Sequence, residues 1–333
     1  MVKTKEDLYR AIVIGCGQIG SSFANSTHIP GVHSHAQAYH KHPRVNLVGV
    51  ADTNTEKLNP ALRLWNVEGG SNAIALCRQL KPDIVSICTP NETHFPIAYN
   101  LLQESPPRIL FIEKPIALAS SQAAQLLELA KEQNCAIAVN YSRRFSPTFR
   151  LLKQEIDEGK HGQPLLARIL YGKGLLHNGS HALDLVRFWF GEPIEYQGVP
   201  AAWGPEGDET YNVDLLLANN CRVRLEAFDE RVASVFEMDF LATKTRVQFW
   251  FGGHEWKLWE VQASPFYSGY YEYVSTERQQ SDGAFHNPMG DCLWLAVENI
   301  VSFLDGEEPL LCTGDDGFAV LSLIEKIRAS GKP

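Results

Sequence analysis

The stretch Ala11-Ile12-Val13-Ile14-Gly15-Cys16-Gly17-Gln18-Ile19-Gly20 decides the fold. Four apolar residues, most of them β-branched, run straight into a G-x-G-x-x-G. In a strand–turn–helix unit each glycine of that pattern has its own reason. The first makes a tight turn, the second lets a pyrophosphate approach the backbone, and the third lets helix and strand pack closely. A second apolar run, Asn46–Ala51, ends in Asp52. A carboxylate there accepts hydrogen bonds from the ribose hydroxyls of an adenine dinucleotide and repels a 2′-phosphate. No arginine follows in Thr53-Asn54-Thr55 to hold such a phosphate, so the reading favours NAD over NADP.

Working outward, further short apolar runs fall at Ile84–Cys88, Ile109–Ile112 and Ala136–Asn140. Their unbroken apolar character suits strands buried on both faces of a parallel sheet. Helical patterns such as Ser121–Gln133 lie between them, which predicts a doubly wound α/β domain. After about residue 160 the texture changes. Leu166–Tyr171, Tyr211–Leu217, Arg222–Phe228, Val235–Leu241, Thr245–Phe251 and Trp256–Val261 read as strands with short links. Helices are expected at Ser180–Phe190, Asp291–Phe303 and Asp315–Ala329. The fold class is therefore α/β: a Rossmann domain over 1–122, then an α+β domain over 123–333 with a large, mostly antiparallel open sheet. The boundary itself is weakly marked.

The composition agrees. The chain has 333 residues, 44% hydrophobic and 21% charged, which excludes a disordered or low-complexity protein. A net charge of −9 with no long basic run argues against nucleic acid and anionic membranes as partners. Seven cysteines without a C-x-x-C argue against a disulfide framework or a zinc ribbon. The N-terminal residues Met1–Asp7 carry no apolar segment, and the expected location is the cytoplasm.

Three later motifs are more specific: Cys88-Thr89-Pro90-Asn91-Glu92-Thr93-His94, Ile112-Glu113-Lys114-Pro115 and Gly179-Ser180-His181-Ala182-Leu183-Asp184. In this order and spacing the chain resembles the glucose–fructose oxidoreductase and inositol dehydrogenase (Gfo/Idh/MocA) family. The resemblance implies NAD(P)-dependent hydride transfer at a secondary alcohol of a sugar, polyol or sugar nucleotide. It matches Lys114 to the family's active-site lysine and His181 to its active-site histidine. Gly15, Gly17, Gln18, Ile19, Gly20, Asp52, Thr89, Pro90, Asn91, Glu113 and Lys114 would then line the cofactor. The chemistry is coherent. An imidazole can take a hydroxyl proton while hydride leaves, and a lysine at a strand end can hold the developing alkoxide.

The chain departs from the pattern in two places. Where the family has D-x-G-x-H, this chain reads His177-Asn178-Gly179-Ser180-His181, with His177 in place of the carboxylate. Two alternatives stay open, the first of them because of that substitution. One is a catalytically altered NAD-binding regulator or scaffold; the other is a hydrolase or lyase that uses bound NAD transiently. Second, Gly20 and Asp52 are 32 residues apart, against the usual ~20. The excess lies in Ser21–Val32, before a capping-box pattern at Ser34-His35-Ala36-Gln37. Either the first helix is interrupted by a loop or it starts late.

Weaker substrate candidates are Arg143 and Arg144 of an N-x-x-R-R-F segment, Asp184, and Tyr270 in the aromatic stretch Tyr267–Tyr273. Arginine forks serve interdomain salt bridges equally well. Aromatics between Phe249 and Trp259 suit a sheet face or an assembly surface, so a homodimer or homotetramer through the second sheet is expected. His28, His33, His35, His40 and His42 include an H-x-H, but no carboxylate or cysteine cluster accompanies them, and no metal is expected.

Overall fold

The computed structural model describes residues 8–25, 30–201, 203–275 and 289–331. It divides into two compact units, one of 1–145 with 290–321 and one of 146–289 with 322–333. The division falls at Phe145/Ser146 instead of the 122/123 boundary expected from sequence, and residues 290–321 return to the first unit. The expected Rossmann segment thus lacked the sixth strand and the arginine segment that pack with it.

In the first unit the strands are β1 (Tyr9–Ile14), β2 (Val45–Ala51), β3 (Glu68–Gly70), β4 (Ile84–Ile87), β5 (Ile109–Ile112) and β6 (Ala136–Val139). They form one parallel sheet in the order β3-β2-β1-β4-β5-β6. The order reverses beside β1, and in such sheets ligands bind outside the carboxyl ends of the strands at that crevice. β5, Ile-Leu-Phe-Ile, is fully buried at every residue. Each such side chain removed from water contributes ~1.5–3 kcal/mol, which is why the run reads as a central strand.

The helices of this unit are α1 (His35–Lys41), α2 (Thr55–Trp65), α3 (Ala73–Leu80), α4 (Asn91–Glu104), α5 (Ser120–Glu132), α8 (Cys292–Leu304) and the first part of α9 (Gly314–Ser330). Their ends follow local chemistry. Asn54 and Asn72 cap α2 and α3 by accepting from Glu56 N and Ala75 N. The same helices stop at Asn66 and Lys81, both in the left-handed region.

The second unit holds α6 (Pro147–Asp157), a π-helical turn over Gly174–Gly179, α7 (Ser180–Phe190) and the end of α9. Its strands are β7 (Pro164–Tyr171), β8 (Pro193–Pro200), β9 (Tyr211–Leu217), β10 (Arg222–Ala227), β11 (Phe236–Ala242), β12 (Thr245–Trp250), β13 (Glu255–Ala263) and β14 (Tyr271–Ser275). They form one sheet ordered β14-β13-β12-β11-β7-β10-β9-β8. Every pairing is antiparallel except β7 with β10.

Burial alternates along β11 and β12, so one face is core and the other is open. On the core face Phe149 of α6 stacks on Phe249 at 4.6 Å and on Trp189 at 5.5 Å. The open face carries cross-strand ion pairs, including Arg246 in a two-pronged bond to Asp239 and Arg168 with Glu226. The aromatics expected to share one role split between the faces. Phe249 and Trp256 are buried, whereas Trp250 and Trp259 meet on the open side.

Candidate active site

The site is built from the carboxyl ends of β1, β2, β4 and β5. Gly15 follows β1 with φ +96°, and a Cβ there would sit 2.6 Å from the Cys88 carbonyl oxygen. A Cβ at Gly20 would lie 1.9 Å from the Gly15 carbonyl oxygen. Both glycines are therefore demanded by the chain's own packing. Gly17 is not, because a Cβ there would meet nothing within 4 Å. The middle glycine faces open space, which is the room a pyrophosphate needs to approach the backbone. A cleft of about 510 Å³ opens beside it, lined by Cys16, Gln18, Ser21, Lys57 and Leu64 among others. Gln18 is exposed and Ile19 half-buried on this turn.

The insertion proves to be an interruption. Ser21 N and Ser22 N donate to Gly17 O, and Phe23 N donates to Gln18 O, making one helical turn. The chain then leaves. It returns at Val32, whose N–H donates to Gly290 O, and Ser34 caps α1 by accepting from Gln37 N. α1 docks onto the glycine turn, with His35 N and Ala36 N donating to Ile19 O and Gly20 O. The residues between, including His28, lie outside the described segments.

Asp52 closes the loop from the end of β2. Its Oδ2 accepts from Cys16 N at 2.7 Å and its Oδ1 from Asn54 N at 2.8 Å. The carboxylate is thus aligned by backbone amides at the place where a ribose would reach it. The Cys16 thiol is pushed up to about 12, chiefly by burial and then by the Asp52 charge, so it stays protonated and unreactive. All seven cysteines are buried free thiols.

Thr89, Pro90 and Asn91 occupy the turn from β4 into α4, with Pro90 at the helix cap. Thr89 Oγ1 accepts from Thr93 Oγ1. His94 is fully buried beneath this turn, its ring nitrogens 2.7 Å from Pro115 O and 2.8 Å from Thr89 O. The imidazole ties the β4 turn to the β5 turn, as a residue that shapes the loop should. Lys114 follows β5 and precedes a cis bond to Pro115. Both Lys114 and Glu113 are half-buried.

Glu113 is the hub of a polar network that sequence reasoning missed. Its Oε1 accepts from Asn140 Nδ2 at 2.6 Å and lies 3.0 Å from His35 Nε2. His35 Nδ1 meets Ser86 Oγ at 2.8 Å, and Ser86 Oγ meets the Tyr39 hydroxyl at 2.7 Å. Burial alone would raise the Glu113 carboxyl. The His35 hydrogen bond and charge, the Asn140 amide and Lys114 outweigh it and hold Glu113 below the ordinary glutamate value. The signal available in sequence was a histidine placed just inside a capping box, there weighed only as a metal ligand. The neighbouring histidines have separate partners: His42 binds Glu298, and His40 packs on Trp65. Among the described residues no group of three histidine, cysteine or acidic side chains is placed to share an ion.

Arg144 is committed elsewhere. It pairs with Asp316 at 3.0 Å and donates to Leu311 O, both inside the first unit. Arg143 is buried beside Cys292, whose thiol its charge partly lowers against the dominant effect of burial. Arg144 thus forms a salt bridge, but inside the first unit and not between domains as expected.

In the second unit, His177 and His181 lie four residues apart where the π-helical turn runs into α7. That spacing puts them on one side of the helical run. His177 is exposed and His181 half-buried, with its ring edge-on to Phe236. Asp184 is buried. A second group missed from sequence is Asp208. Its Oδ1 accepts from Leu176 N and Arg328 Nη2, and its Oδ2 accepts from His177 N. One carboxylate thereby fastens the turn that carries His177. No sequence pattern pointed to it, because its partners lie about 30 and 120 residues away. Tyr270 is strongly exposed beside β14, with Phe266, Tyr267 and Tyr271 equally exposed around it.

The glycine turn, the aligned Asp52 and the parallel sheet define a dinucleotide-binding protein of the Rossmann class. Comparison with known proteins carries this further. Residues 9–141 match the family described as "Oxidoreductase family, NAD-binding Rossmann fold" (GFO_IDH_MocA). An inositol 2-dehydrogenase of Rhizobium meliloti is 24% identical over 66% of this chain and 71% of its own length. A UDP-N-acetylglucosamine 3-dehydrogenase of Acidithiobacillus ferrooxidans is 28% identical over 58% of each chain. The solved WlbA dehydrogenase of Bordetella pertussis, in complex with NADH and UDP-GlcNAcA, aligns with TM-score 0.74 at 18% identity, covering 97% of this chain and 96% of its own. Over its nucleotide-binding part, residues 9–141, the chain is thus similar to the Gfo/Idh/MocA oxidoreductases.

Proposed function

We propose that this protein is an NAD-dependent dehydrogenase that oxidises a secondary alcohol of a sugar, polyol or sugar nucleotide, or reduces the corresponding ketone. The observation that carries the reading is the glycine turn: Gly15 and Gly20 are used by the fold, while Gly17 faces open space beside Asp52. Gly15, Gly17, Gln18, Ile19, Gly20, Asp52, Thr89, Pro90 and Asn91 would hold the dinucleotide. When bound, it supplies the hydride acceptor. The inositol and UDP-sugar dehydrogenases among the relatives support the substrate class.

Lys114 holds the developing alkoxide, and His181 takes the hydroxyl proton. His177, on the same side of the helical run, orients the substrate or shares that proton. The chain works in the cytoplasm as a homodimer or homotetramer, assembled through the open face of the second sheet. Among the described residues no helix is long and apolar enough to cross a membrane.

The test is a screen of myo-inositol, a methyl glucoside and UDP-N-acetylglucosamine with NAD and with NADP, following absorbance of the reduced cofactor. Turnover with NAD that Lys114→Ala and His181→Ala each reduce at least a hundredfold supports the proposal. NADH binding without turnover across a wide panel would instead support the regulator reading that His177 raised. Product without net reduced cofactor would point to transient oxidation.

A further inference from the structure

The glycine turn and Lys114 sit on different strands, and His35 is bonded to both neighbourhoods. Its backbone N–H donates to Ile19 O of the glycine turn at 2.9 Å. Its imidazole Nε2 lies 3.0 Å from Glu113 Oε1, next in sequence to Lys114. The ring is completely buried and packs on Phe111 with centroids 4.7 Å apart. A buried imidazole packed on Phe111 and bonded at both nitrogens has one orientation.

For a neutral His35 the polarity of the network follows from its partners. The Tyr39 phenol is completely buried, which pushes its ionisation far up, so it stays a hydroxyl. Ser86 Oγ has one proton and two partners, Tyr39 and His35. A neutral His35 can donate to the Glu113 carboxylate only through Nε2–H, which leaves Nδ1 as an acceptor. Ser86 must then donate to Nδ1 and accept from Tyr39. The chain of donors runs Tyr39 to Ser86 to His35 to Glu113, with every buried group satisfied. Cys88 and Lys114 are the other titratable groups facing the carboxylate. Asn140 adds a second donor to the same oxygen.

We propose that His35 is a positioning residue for Lys114: bonded to the glycine turn through its backbone and to Glu113 through its imidazole, it fixes the carboxylate next in sequence to the lysine, with Ser86 at its other ring nitrogen. The inference rests on Lys114 being catalytic, as proposed above. Its first consequence, the state of Glu113, does not.

Carboxyl NMR of the full chain labelled with [13Cδ]glutamate, with Glu113 assigned through Glu113→Gln, reads that state without cofactor or substrate. In the unsubstituted protein Glu113 titrates below the ordinary glutamate range. His35→Ala moves its midpoint up by at least tenfold in proton affinity. His35→Gln, which keeps an N–H donor, restores part of the shift and guards against a variant that fails to fold. Ser86→Ala leaves the pair in place and moves the midpoint less than His35→Ala does. An unmoved midpoint in a folded His35→Ala protein overturns the proposal.

The kinetic arm uses the substrate found in the screen above, or NADH with the corresponding ketone. The ratio of kcat at the raised Glu113 midpoint to kcat at pH 8 falls about twofold in His35→Ala, because half of the carboxylate is then protonated, while KM for NAD stays within threefold. A uniform loss of kcat at all pH values, with no change in that ratio, would mean a purely structural histidine. Full turnover in Lys114→Ala would sink the catalytic reading while leaving the Glu113 titration to judge the pairing.

Discussion

Replacing Gly17 and Gly20 in turn by alanine separates what the glycine turn does for the fold from what it does for a ligand. At Gly20 the new methyl carbon would sit 1.9 Å from Gly15 O and 3.0 Å from Gly15 C. Real Cβ contacts do not fall below 3.0 Å, so the backbone must move by about 1 Å. Overpacking of this kind costs ~1–3 kcal/mol, or a fall in Tm of about 3–10 °C for a unit of this size. At Gly17 the methyl meets nothing within 4 Å, and φ lies outside the left-handed region. Alanine there restricts the unfolded chain and shifts stability by no more than ~0.4–1 kcal/mol, in the favourable direction. It does occupy the space through which a pyrophosphate reaches the backbone amides. Gly17→Ala should therefore melt about 1–3 °C above the parent and bind NADH at least tenfold more weakly, a loss of ~1.4 kcal/mol. Circular dichroism melts and NADH fluorescence titrations measure the two quantities on the same samples. Unchanged NADH affinity in a folded Gly17→Ala protein would refute the assignment of this turn as the pyrophosphate site. A Gly20→Ala protein as stable as the parent would refute the packing argument.

Asp52→Ala removes the acceptor for Cys16 N and Asn54 N and the negative charge at the proposed ribose position. The ratio of NADPH to NADH affinity, by fluorescence titration, should rise at least tenfold. Arg144→Ala breaks a pair between the buried guanidinium and the half-buried Asp316. It should cost ~2–4 kcal/mol in urea unfolding, and a cycle with Asp316→Ala should show coupling of ~1–3 kcal/mol, with KM for substrate little changed. Asp208→Ala leaves the amides of Leu176 and His177 and the Arg328 head without their shared acceptor. A loss of ~2–3 kcal/mol in urea unfolding is expected, with a kcat defect resembling that of His177→Ala. Glu113 is depressed in the folded state, so its contribution to stability is complete above the ordinary value of ~4.3 and lost as pH falls through its lower folded value. Glu113→Gln should remove that part of the acid dependence in melts recorded between pH 2 and 6.

The strands that sequence reasoning located are those buried on both faces or on one regular face. β1, β2, β4, β5 and β6 show as apolar runs, and β7 and β9–β13 as alternating ones. The three it missed, β3, β8 and β14, are all sheet edges. β3 is Glu-Gly-Gly, β8 carries proline at both ends, and β14 is mostly exposed. An edge strand packs against one neighbour only, so burial leaves little pattern in its residues. The start of α1 at its Ser34 cap and the span of α7 were legible, because a cap and an apolar face are local signals.

By itself the sequence determined the order of strands and helices, the glycine turn, Asp52 and the motifs around Lys114 and His181. Each of these depends on residues close together in the chain. Tertiary structure alone decided which polar groups are spent on the fold and which face a ligand. His35 moved from a possible metal ligand to the partner of Glu113, 78 positions on. Arg144 moved from a substrate candidate to the partner of Asp316. Asp208 emerged beneath His177. A buried polar group must find a hydrogen-bond partner wherever packing places one, and that placement follows from the meeting of distant strands, which no local spacing records.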